Sequence, residues 1–262
     1  MQKLLQVIVV SICLLVSSCV TKTISPYDDK KDLAKAERSY IQLGYGYFER
    51  DNFLEAKKSL TTALEINSRS AGAHIGLARV YDRELEYELA NDHFRKAIRY
   101  GGGSEAHFQY GVYLYNRHEY QGAYREFKTV LKDTIYERRP QAFEYQAIVS
   151  SRLGKTDESI SYYRRAIALT NDLPNAHLGL TRIYFNRGEN DVAYKYYGGF
   201  IRLVREQQVR HTAATLWLGI QLAHLNNDAN LEASLELQLK NQFKKTPQYK
   251  QYEKWKAEQS PS

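Results

Sequence analysis

Residues 37–70, ERSYIQLGYGYFERDNFLEAKKSLTTALEINSRS, run directly into residues 71–103, AGAHIGLARVYDRELEYELANDHFRKAIRYGGG. The two segments carry one pattern, 34 positions apart. Leu43 answers Leu77, Gly44 answers Ala78 and Tyr47 answers Tyr81; further on, Ala56 answers Ala90, Leu60 answers Phe94 and Ala63 answers Ala97. The chemistry is steric. Two antiparallel helices approach closely only where Gly or Ala sits at the crossing, and Leu, Tyr and Phe then fill the space around it. Each hairpin leaves one apolar face uncovered, so it must stack on a neighbour, which predicts a solenoid.

A 34-residue period with small residues at the eighth, twentieth and twenty-seventh positions is the signature of the tetratricopeptide repeat. The pattern continues through 104–137 (Gly111, Ala123, Phe127, Val130), 140–173 (Ala147, Ser159, Tyr163, Ala166) and 174–207 (Thr181, Ala193, Tyr197). A degenerate sixth copy spans 212–243. There Leu218 and Gly219 fit, while Asn226 to Asn230 are read as a longer turn that pushes Ala233 out of register. The expected fold is all-α: a superhelical solenoid of about six repeats and about twelve antiparallel helices around one continuous core. Gly101-Gly102-Gly103 lacks the Lys and Ser/Thr of a phosphate-cradling loop and reads as a helix C-cap and turn. The tail, 244–262, is charged and is expected to end as a loose helix.

Ahead of the repeats the chain changes character. Lys3 is followed by a mostly apolar run from Leu4 to Val16, shorter than the roughly 20 residues that span a bilayer and suited to a secretory signal. The leader, 1–18, ends in Val16-Ser17-Ser18-Cys19, which looks like a bacterial lipobox. Cys19 is therefore the expected lipidation site, and Val20 in place of Asp implies sorting to the outer membrane, on its periplasmic face. Several acyl chains on one cysteine anchor stably where a single chain does not. Cys13 leaves with the leader, so no thiol remains for a disulfide. Residues 19–36, polar and without an apolar period, read as the lipidated cysteine and a flexible tether with a reach of roughly 20–25 Å.

The residue types exclude several functions. There is no G-x-S-x-G, no H-E-x-x-H and no free cysteine, so no catalytic residue, cofactor or small-molecule substrate is expected. His74, His107 and His177 recur at the fourth position of their repeats. Equivalent positions lie on the order of 10 Å apart, whereas zinc holds its ligands at about 2.0–2.3 Å, so these are packing residues and no metal is expected. The formal charge is +7, or +6 once Lys3 is removed with the leader, and much of the excess sits in the tail. It suits an anionic partner or a solvated helix end. Nucleic acid is set aside because the leader carries the chain away from it.

A solenoid offers a groove, and the tyrosine content, 22 residues, points to where it binds. The fifth, ninth, twelfth and thirteenth positions of each repeat face the concave side. They give Ile41, Tyr45 and Phe48 in the first repeat, Ile75, Arg79 and Arg83 in the second, and Phe108, Val112 and Tyr115 in the third. An aromatic wall followed by arginines is what a peptide-binding interface uses. The Lys/Asn pattern of carboxylate-clamp repeats is absent.

Taken together, lipobox, tether and six repeats closing on Ala214-Thr215-Leu216-Trp217-Leu218-Gly219-Ile220 resemble the type IV pilus biogenesis/stability lipoproteins, the PilF/PilW family. Gln238 to Phe243 and Tyr136 to Ala142 resemble that family's segments as well, so the likeness covers essentially the whole chain. The resemblance implies a pilotin: a non-enzymatic binding module that helps the outer-membrane secretin, a PilQ-like subunit, reach the membrane and form its multimer. Two other readings stay open at this level. One is an envelope repeat lipoprotein that scaffolds another pilus or secretion system or peptidoglycan enzymes; the other is an enzyme or ligand carrier.

Overall fold

The computed structural model describes residues 26–259. The leader (1–18), Cys19 and the first residues of the tether lie outside them. Thirteen helices and no strands occur among the described residues. The six hairpins are α1 (Pro26–Phe48) with α2 (Phe53–Ile66), α3 (Ala71–Arg83) with α4 (Tyr87–Arg99), α5 (Gly103–Asn116) with α6 (Tyr120–Val130), α7 (Arg139–Arg152) with α8 (Thr156–Leu169), α9 (Pro174–Asn186) with α10 (Asn190–Arg205), and α11 (Ala213–Leu225) with α12 (Ala229–Gln242). Helix α13 (Pro247–Gln259) follows.

The crossing positions behave as the repeat pattern requires. Ala56, Ala63, Ala90, Ala97, Ala123, Ala166 and Ala193 are fully buried, with Leu60, Phe94, Phe127 and Tyr197 filling the space between the helices. Gly44 and Gly111 sit where an added Cβ would come within 2.6 Å of Leu60 and 2.9 Å of Phe127. All six hairpins turn in the same way. A backbone N–H three or four residues past the helix end closes a bond of 2.8–3.0 Å to the carbonyl five residues back, as from Asn52 to Tyr47 and from Glu189 to Tyr184. The residue before that donor is left-handed: Asp51, Leu85, His118, Gly154, Gly188 and Asn227. This is the Schellman arrangement, which satisfies carbonyls that the helix end leaves open. Gly101, at φ +83°, ends α4 by the same device, and Gly102 donates to the Ala97 carbonyl.

The first helices of successive repeats, α1, α3, α5, α7 and α9, touch one another in order; the second helices make no comparable contact. The first helices therefore line the inner, concave side and the second helices the convex side.

Four expectations need correction. Helix α1 begins at Pro26, inside the span read as a tether. Lys, Ala, Leu and Glu are good helix formers, and Pro suits the first turn, so the packed helix propagates backwards without an apolar stripe. The core is not one continuous body. It forms three clusters, joined where Tyr81 packs on both of the first two and Leu131 on both of the last two. The sixth repeat has an ordinary three-residue turn, Asn226 to Asp228; its departure lies in the next helix, where Glu232 and Glu236 occupy the positions filled by Ala56 and Leu60 in the first repeat.

Finally, the tail is not loose. Helix α13 packs on α11, in the place a seventh first helix would take, with Trp255 5.6 Å from Trp217 and 4.9 Å from His224. Lys256 reaches Glu236 at 2.7 Å and Glu232 at 3.9 Å. The two glutamates that break the repeat pattern are thus the ones that receive the terminal helix.

Candidate functional site

At the N-terminal end the concave wall is closed over itself. Tyr45 is half-buried and donates its hydroxyl to the Gly72 carbonyl at 3.0 Å, tying the first repeat to the second; burial pushes that hydroxyl up to about 12. Arg79 lies over Phe48 at 4.3 Å and over Tyr45 at 5.5 Å, and pairs with Glu49 at 3.0 Å. Arg83 pairs with Asp51 at 2.8 Å and stands 5.4 Å from the Phe53 ring. Both pairs are solvent-facing and contribute little stability each, but they occupy the guanidinium groups.

Not every residue expected in the groove is available there. Phe108 is fully buried, Ile75 is 4% exposed and Phe48 8% exposed, so none of the three can anchor a partner without opening the core. The fifth position of a repeat points into the seam between consecutive first helices, as Ile41 does against Gly72. Phe108 is covered further by the segment between α6 and α7. Arg138 stacks on its ring at 4.1 Å, while Tyr136 and Arg138 both bond to Glu105, at 2.6 and 3.3 Å. Ile41, Tyr45, Arg79, Val112 and Tyr115 are partly exposed and Arg83 is exposed.

The wall opens farther along. Between α5, α7 and α9 lies a cavity of about 530 Å³, within the usual range for a ligand site. Tyr115 reaches it from α5 and Tyr163 from below; Ile148 and Arg152 come from α7 and Arg182 from α9. Several lining residues are the fifth, ninth, twelfth and thirteenth positions of the fourth and fifth repeats, among them Glu144, Ile148, Ser151, Arg152 and Arg182. The positional rule that singles out Tyr45 and Arg79 would have found them had it been carried two repeats on. Gly179 keeps the floor open, since a Cβ there would stand 2.3 Å from the Tyr163 ring.

The histidines pack. His74 is buried against Tyr100 and shares a 3.0 Å contact between Nδ1 atoms with His93. One ring must donate and the other accept, so both cannot carry a proton there. Burial and the neighbouring His74 bring His93 down to about 4. His107 meets Glu126 at 2.6 Å, and His177 meets the Asn171 carbonyl at 3.2 Å. No group of three or more potential metal ligands occurs among the described residues.

Comparison with known proteins agrees with this architecture. The tetratricopeptide repeat family matches residues 37–70 and 146–176. The type IV pilus assembly protein PilF of Pseudomonas aeruginosa is 32% identical over 239 residues, covering 90% of this chain and 93% of that protein. The solved structure of P. aeruginosa PilF superposes with a TM-score of 0.79 over 86% of this chain and 99% of its own. That of PilW, a type IV pilus biogenesis factor, superposes at 0.70 with 22% identity, over 82% and 97%. With identity at that level along nearly the whole length of both chains, and the same solenoid beneath it, the chain belongs to the PilF/PilW family of type IV pilus biogenesis proteins built from tetratricopeptide repeats.

Proposed function

We propose that this protein is an outer-membrane lipoprotein, anchored through acylated Cys19, that acts as a pilotin. Its concave wall holds a segment of the pilus secretin and promotes the subunit's arrival at the membrane and its assembly into multimers. The observation that carries this reading is the wall itself: an inner surface of first helices with half-exposed Tyr45, Val112 and Tyr115 and an open cavity, in a chain of the pilus biogenesis family. Half-exposed aromatics bury much area at little rotamer cost, and a few such residues dominate most interfaces. The repeat solenoid offers a binding surface, and the role is that of a non-enzymatic interaction module.

Secretin multimers in a strain lacking the protein, complemented with variants, test this. Tyr45→Ala with Tyr115→Ala should keep the helical spectrum and membrane fractionation while multimers and surface pili fall. Phe48 is unsuitable for this test because its loss would open the core. Cys19→Ser should give a folded protein that no longer pellets with outer membrane after a high-salt wash. Wild-type multimer levels in the tyrosine variant would contradict the groove reading; a Cys19→Ser chain that still pellets would contradict the anchor.

A further inference from the structure

The N-terminal end and the centre of the concave wall carry arginines at the same repeat positions, ninth and thirteenth, but in opposite electrostatic states. Arg79 and Arg83 are neutralised by Glu49 and Asp51 and spread over aromatic rings. Arg182 and Arg152, their counterparts two to three repeats on, are exposed at the cavity between α5, α7 and α9 and take part in no ion pair or hydrogen bond among the described residues. Both line the one cavity whose floor is the Tyr163 ring. At the back wall Glu144 is buried, and its Oε1 has no hydrogen-bond partner.

We propose that this cavity is a binding site for an extended peptide segment that carries an acidic side chain. The carboxylate sits between Arg152 and Arg182, where planar guanidinium groups match it in pairs of hydrogen bonds. The flanking chain lies against Tyr115 and Ile148. Two unpaired cations lining one cavity make an anionic occupant the complementary one. The proposal rests on the concave wall being the partner surface; it adds where along the wall the contact is made and what chemistry is read there.

The test uses the full chain in detergent and immobilised pools of seven-residue peptides. Their central residue is fixed as Asp or Glu in one set and as Asn or Gln in the other. The wild-type chain should retain the acidic pools at least tenfold better. Arg152→Gln with Arg182→Gln should lose that preference at an unchanged helical spectrum and melting temperature, because neither guanidinium holds the fold together. Arg79→Gln with Arg83→Gln should keep it. Equal retention of acidic and amide pools by the wild type, or an undiminished preference in the Arg152/Arg182 variant, would overturn the proposal. If the preference is lost in that variant while secretin multimers in cells stay at wild-type level, the acidic-peptide site stands and the secretin is not its occupant.

Discussion

Leu85 holds a backbone conformation that costs an L-residue roughly 1–2 kcal/mol, at φ +65°, with its side chain 67% exposed. The equivalent turn residues in the fourth and fifth repeats are Gly154 and Gly188. Leu85→Gly should therefore stabilise the protein by about 1 kcal/mol, less a part returned to the unfolded chain, and thermal melting should show the rise. Acid sensitivity is also set residue by residue. Burial lowers His93 and His211 to about 4, well below the ordinary 6.5. Because the folded values are depressed, their contribution is complete above pH 6.5 and is lost as pH falls from there toward 4. His93→Gln should flatten the fall in melting temperature across that window and leave the behaviour above pH 7 unchanged. A melting temperature that rises on acidification would contradict the burial of these rings.

Among the elements, the helix pairs were legible because their determinants are local and repeated. Small residues every 34 positions mark the crossings, and Pro140 and Pro174 open α7 and α9. Ala90 is fully buried at such a crossing, so Ala90→Leu should overpack and cost about 1–3 kcal/mol. The control belongs at Lys58, since Lys57 bridges to Glu84 of the next repeat at 2.8 Å and is not a silent position. Equal melting temperatures for Ala90→Leu and Lys58→Leu would contradict the register. Helix α13 was not legible as a packed element. Its apolar stripe is three aromatic residues, Tyr249, Tyr252 and Trp255, set among lysines, and its partner surface is created by Glu232 and Glu236, far from it in sequence. Trp255→Ala should cost about 2 kcal/mol, a partial version of a buried aromatic truncation, and should expose Trp217 to fluorescence quenchers. The groove was half legible for a related reason. Repeat position tells which side a residue faces, but not whether an insertion such as Tyr136 to Arg138 closes over it, as happens at Phe108.

For the whole molecule, the concave wall is partitioned. Its N-terminal end is aromatic with its charges paired, whereas its centre is open and retains two free guanidinium groups. A secretin subunit engaged along this wall would contact Tyr115 at the edge of the cavity and leave the convex helices clear. The most direct test places a photo-crosslinking residue at position 115 on the concave side, or at position 124 on the convex helix α6, in cells making pili, and identifies the adduct by mass spectrometry. The account predicts a secretin adduct from position 115 and none from position 124; adducts from position 124 alone, or a position-115 adduct lacking any secretin peptide, would contradict it.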